Sequence, residues 1–66
     1  MQIHLNGEPR ELPGPLTVAG LLEFSGYAQR RVAVEVNRNL VPKSLHAAHE
    51  LHDGDRVEIV QAIGGG

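Results

Sequence analysis

The chain contains no cysteine and no tryptophan, and its aromatic residues are limited to Phe24 and Tyr27. Without cysteine there is no disulfide, no thiolate nucleophile and no thiolate metal site. With so few aromatics, a core has to be built from Leu, Val and Ile. At 66 residues the chain is one domain at most, near the lower size at which a core supports itself. Serine occurs only at Ser25 and Ser44, so no hydrolytic triad suggests itself. The carboxylates Glu8, Glu11, Glu23 and Glu50 show no spacing that marks a general acid and base.

Two further absences bear on partners and location. Six Lys+Arg stand against eight Asp+Glu, a formal net charge of −2. That balance argues against nucleic acid, which calls for a basic face. Arg30-Arg31 is the one basic pair and reads as a solvated strand entrance. No apolar run approaches a membrane span, and "MQIHLNG" reads as a first strand rather than a signal peptide. A cytoplasmic protein, away from membranes, is the expectation.

What is present is an orderly set of short elements. Met1, Ile3 and Leu5 alternate with Gln2, His4 and Asn6, the period of a half-buried strand. Asn6-Gly7 suits a type I′ hairpin turn, which needs positive φ at both central residues. Glu8 to Leu12 is the return strand, and Pro9 confines it to a sheet edge. After "PGP" at 13–15, Thr17 is placed to cap a helix carrying Val18, Leu21 and Leu22 at helical spacing, with Gly26 as its stop. The capping box is incomplete, because Gly20 stands where Glu or Gln would complete it.

"RVAVEV" is a strand with Val32, Val34 and Val36 on one face and Ala33 and Glu35 on the other. "NRN" at 37–39 is a turn, and Leu40-Val41 resumes briefly before Pro42. Residues 43–52 have room for one or two helical turns. "DGD" at 53–55 turns into a last strand from Arg56 to Ile63. A hairpin, a crossover helix and further strands predict an α+β fold, with one helix over a mixed sheet of four to five strands. If the first and last strands are central neighbours, this is a β-grasp arrangement. The domain then spans 1–63, followed by a flexible Gly tail at 64–66.

The histidines invite a metal reading. His46, His49 and His52 are spaced three apart, and neutral imidazoles on one helical face can bind a transition metal. Successive steps of three drift around a helix, however, and no carboxylate is placed to orient them. Exposed surface imidazoles are the simpler account, and His4 on an outward strand position reads the same way. Asp53 and Asp55 flank Gly54 as a calcium loop might, but further oxygen ligands are lacking and a turn accounts for them. No metal site is assigned.

The three glycines at 64–66 are either a frayed terminus or the working part. The physical case for function is steric. A tail without side chains passes through a narrow channel, adopts an extended path there and delivers a terminal carboxylate to another protein's active site.

On these residues the chain resembles the sulfur carrier family of thiamine biosynthesis, ThiS, in the ubiquitin-like β-grasp group. The resemblance runs through "MQIHLNGE", "LTVAGLLE", "VAVEVNRNLVP" and "LHDGDRVEIVQAIGGG". Gly65 and Gly66 match the family's terminal pair, and Gly64 occupies a position where other small residues serve. The resemblance implies a carrier rather than an enzyme, with no cofactor of its own. An E1-like adenylyltransferase similar to ThiF would use ATP and magnesium to activate the Gly66 carboxylate. Sulfur from a separate donor protein would make a thiocarboxylate, and a ThiG-like thiazole synthase would accept it. Gly64, Gly65 and Gly66 would enter the partners' active sites.

If Val57, Ile59 and Ile63 point into the core, then Glu58, Val60 and Ala62 lie on the opposite face and form a docking surface beside the tail. The alternatives are a sulfur carrier for molybdopterin or another sulfur pathway, and a non-covalent ubiquitin-like binding module with an inert tail.

Overall fold

The computed structural model describes residues 1–61. Ile63 and the tail glycines Gly64, Gly65 and Gly66, together with Ala62, lie outside the described residues. The elements run β1 (Gln2–Leu5), β2 (Glu8–Glu11), α1 (Val18–Phe24), β3 (Val32–Val36), β4 (Asn39–Val41), a 3₁₀ turn (Lys43–Leu45) and β5 (Arg56–Gln61). The five strands form one sheet in the order β2-β1-β5-β3-β4. β5 occupies the centre, parallel to β1 and antiparallel to β3. One helix over a mixed sheet with the first and last strands as neighbours is the β-grasp arrangement expected from the sequence.

Each turn follows from its residues. The β1–β2 hairpin closes through Asn6 (φ 51°) and Gly7 (φ 85°), joining Leu5 and Glu8 as partners in the doubly left-handed geometry of a type I′ turn. β2 lies at the edge, as Pro9 requires. Leu12 N–H donates to Met1 O at 2.7 Å. By the alternation of an antiparallel ladder, Arg10 and Glu8 share that inward parity, so the imide nitrogen of Pro9 faces the free edge and interrupts no bond. The β3–β4 turn has the same form with Asn37 (φ 52°) and Arg38 (φ 71°), an unfavourable conformation for arginine.

The helix is capped at both ends. Gly20 N–H donates to Thr17 Oγ1 at 3.1 Å. The two preceding amides, which no intrahelical carbonyl can reach, are taken by the 43–52 segment. Val18 N–H donates to His49 O and Ala19 N–H to His46 O, both at 2.9 Å. At the other end Tyr27 N–H donates to Leu22 O (2.7 Å) and Gly26 N–H to Glu23 O (3.2 Å), with Gly26 at φ 86°. That pair of bonds is a Schellman stop.

The core lies between α1 and the inner face of the sheet. Its buried hydrophobic members are all Leu, Ile or Val. Ile3, Leu12, Leu21, Val18, Val34 and Val57 are the largest of those fully enclosed. Phe24 stays exposed and Tyr27 only packs against the margin, so the aromatics contribute little, as composition implied. The 43–52 segment forms a 3₁₀ helix (Lys43–Leu45) followed by turns, as its room for one or two helical turns allowed, and the carbonyls of His46 and His49 serve the N-terminus of α1.

Candidate functional site

β5 carries the candidate site. Its parity is the expected one over the described residues: Val57 and Ile59 are buried, while Glu58 and Val60 face solvent. Val60 is 61% exposed and Leu40 on β4 is 64% exposed, high values for aliphatic side chains on a sheet with a core of its own. The registers place Val60 opposite Ala33, Glu58 opposite Glu35, and Glu35 opposite Leu40. The outer face therefore presents Ala33, Val60 and Leu40 around two carboxylates that stand directly across from one another.

Two carboxylates facing each other across strands repel. Nothing in folding calls for that arrangement, since Glu35 and Glu58 are both exposed and neither contributes to the core. The outer face thus combines exposed aliphatic side chains with an opposed pair of carboxylates. The alternation in the sequence points to Glu58, Val60 and Ala62 on this face. The first two stand where expected, and Ala62 falls outside the described residues. Leu40 and Glu35 were not included, because their membership depends on strand order and register, which no local pattern encodes.

β5 is held along both flanks by asparagine side chains. Ile59 N–H donates to Asn6 Oδ1 (2.8 Å) and Asn6 Nδ2 donates to Ile59 O (3.3 Å). On the other side Arg56 N–H donates to Asn37 Oδ1 (2.9 Å), and Asn37 N–H donates back to Arg56 O (2.7 Å). Asn37 Nδ2 donates to Asp55 Oδ1 (3.0 Å), while Asp55 Oδ2 accepts from His52 N–H (2.8 Å). Asp53 Oδ1 accepts from Gln2 N–H at 2.7 Å. The "DGD" carboxylates are thus structural acceptors that fix the entry to β5, with Gly54 at φ 87° making the turn.

The histidines are not brought together as a ligand set. Among the described residues, no group of three or more His, Asp or Glu side chains could hold a metal ion. One expectation is corrected: His46 is buried, at 8% exposure, rather than on the surface. Its Nε2 lies 3.0 Å from Val41 O, and since a carbonyl only accepts, Nε2 carries the proton. Its own carbonyl accepts from the helix, so His46 ties the end of β4 to α1. His52 is exposed, and His49 and His4 are half-buried.

Comparison with known proteins agrees with this geometry. The model of the ThiS family matches residues 3–66. A sulfur carrier protein ThiS from Escherichia coli is 35% identical over 66 residues, covering all of both chains. A thiazole synthase from Paramagnetospirillum magneticum is 47% identical over 66 residues, but the chain spans only 20% of that protein's length. The crystal structure of a thiamine biosynthesis protein (ThiS) from Geobacter metallireducens superposes with a TM-score of 0.86 at 35% identity, over 100% of each chain. A whole-chain match to the family model, a full-length relative and a full-length structural counterpart agree: the chain belongs to the ThiS family.

Proposed function

We propose that this chain is a sulfur carrier of thiamine biosynthesis, with Gly66 as its reactive terminus. An E1-like adenylyltransferase transfers AMP from ATP to the Gly66 carboxylate with release of pyrophosphate, magnesium neutralising the phosphates. A hydrosulfide equivalent from a separate donor protein then attacks the acyl carbon. The C–S bond forms as the C–O bond to AMP breaks, leaving a thiocarboxylate. Thiazole synthase takes that sulfur. The chain is a co-substrate of its partners and not itself a catalyst.

The observation that carries the reading is the place of β5. The glycines come three residues after Gln61, the last residue of the central strand, which is paired on both sides and held by Asn6 and Asn37. The strand thus provides a firm base close to the three terminal glycines. The relative named thiazole synthase supports the choice of acceptor, since it contains a segment similar to this chain within a longer polypeptide.

The test is intact-protein mass spectrometry after incubation with the E1-like enzyme, ATP, magnesium and a sulfur source. The expected result is a mass gain equal to sulfur minus oxygen, localised to Gly66 and lost on deletion of Gly65-Gly66. An unchanged mass with an enzyme active on its own carrier would overturn the thiamine assignment.

A further inference from the structure

A groove of ≈ 760 Å³ opens at the end of the sheet where β5 leaves it. The antiparallel registers put the start of β3 and the end of β4 at that same end. Its apolar lining includes Ala19 and Leu22 of the helix and Val32 of the sheet. Its charged lining is Arg30, Arg31 and Lys43 against the single carboxylate of Glu23. Three of the chain's six cationic side chains and one of its eight acidic ones line this groove, a net +2 in a chain whose formal net charge is −2. An acidic protein has concentrated its positive charge in one concavity beside the root of the tail.

We propose that this groove receives a protein segment of the adenylating partner that carries carboxylates beside an apolar side chain. The inference rests on the carrier reading. The apolar side chain lies against the apolar lining, and the carboxylates pair with Arg30 and Lys43. Charge complementarity chooses an acidic occupant, and the apolar lining chooses a polypeptide over a phosphate. Phosphate sites are built from convergent backbone N–H groups, commonly at a helix N-terminus. Here those amides already donate to His49 O, His46 O and Thr17 Oγ1. The cationic lining of the groove and the carboxylates Glu35 and Glu58 carry opposite charge, which would orient an approaching partner.

The experiment measures binding of the full chain to the E1-like enzyme without ATP, by calorimetry at two salt concentrations, with adenylation measured in parallel. The double variant Arg30→Glu/Lys43→Glu is expected to bind at least ten-fold more weakly. Arg10→Glu/Arg38→Glu changes net charge equally at sites away from the groove and is expected to stay within two-fold of wild type. Equal weakening in both variants overturns the proposal, since only overall charge would then matter. Wild-type binding by Arg30→Glu/Lys43→Glu, with adenylation intact, overturns the groove while leaving the carrier standing. Displacement of the enzyme by inorganic tripolyphosphate would reassign the groove to phosphate. Absence of both binding and adenylation in the wild type would sink the carrier reading and this inference together.

Discussion

Asn6 uses its side-chain amide to bond both backbone groups of Ile59, a residue 53 positions away. β1 ends at Leu5 because the hairpin turns there, yet its parallel pairing with β5 continues, the carboxamide standing in for a peptide group. Asn6 also sits at φ 51°, which asparagine tolerates better than most residues. Asn6→Gly keeps the turn and removes the clamp, whereas Asn6→Ala removes the clamp and strains the turn. We expect losses of about 1–3 kcal/mol for Asn6→Ala and less for Asn6→Gly. In both variants hydrogen exchange at the Ile59 amide should rise more than at Val34, and unchanged protection at Ile59 would refute the clamp.

Arg38 occupies the second left-handed position of the β3–β4 turn without the freedom of glycine. Arg38→Gly should raise stability by about 0.5–1 kcal/mol, the relief of the left-handed conformation exceeding glycine's entropy cost. Urea denaturation would show a higher midpoint at unchanged slope. A lower midpoint would mean that the arginine side chain makes an offsetting contribution.

Glu35 and Glu58 oppose one another, so stability and docking should respond in opposite directions. Glu35→Lys replaces a repulsion with an attraction and should stabilise the fold by about 0.5 kcal/mol. If the outer face receives a partner, the same change should weaken binding to the E1-like enzyme or to thiazole synthase. A variant that gains stability and keeps both affinities would remove this face from the docking surface.

Core and tail should separate. Val34 is fully buried, and Val34→Ala should cost about 1–3 kcal/mol. For a domain of this size that lowers Tm by roughly 4–8 °C per kcal/mol. Gly66→Ala should leave Tm in place and slow adenylation, because a methyl group crowds the channel that glycine passes. Equal shifts of Tm in the two variants would contradict this division of labour.

Much of the fold was legible in local chemistry. Asn6-Gly7, Pro9, Thr17 and Gly26 each announced a turn, an edge, a cap and a stop, because each acts through its own backbone or its nearest neighbours. The valines of β3 and the alternation in β5 gave the buried face. What escaped local reading was relational. His46 looked like a surface imidazole, since nothing in "SLHAAH" reveals that the segment folds over the helix N-terminus and lends it two carbonyls. Residues 43–52 do form a short helical turn, but the use of the His46 and His49 carbonyls by the N-terminus of α1 is tertiary and leaves no local mark. Leu40 and Glu35 join Val60 and Glu58 only once the strand order is known. The groove lined by Arg30 and Lys43 is likewise a product of three strand ends meeting, and the Arg30-Arg31 pair alone suggested no more than a solvated entrance. The resemblance carried by "DGDRVEIVQAIGGG" covered the family, and residues 62–66 of the tail lie outside the described structure.

The parallel pairing of β1 with β5 also has a mechanical meaning. A load applied along β5 from its far end runs along the strand axis, and the bonds that hold the strand lie across that axis. His4 N–H to Asp55 O, Asn6 N–H to Val57 O and the Asn6 carboxamide on one side, with the β3 ladder on the other, share that load in shear rather than opening one after another. Such a strand resists being drawn out until several bonds give way together. Traction applied at Gln61 is thus borne by the whole width of the sheet.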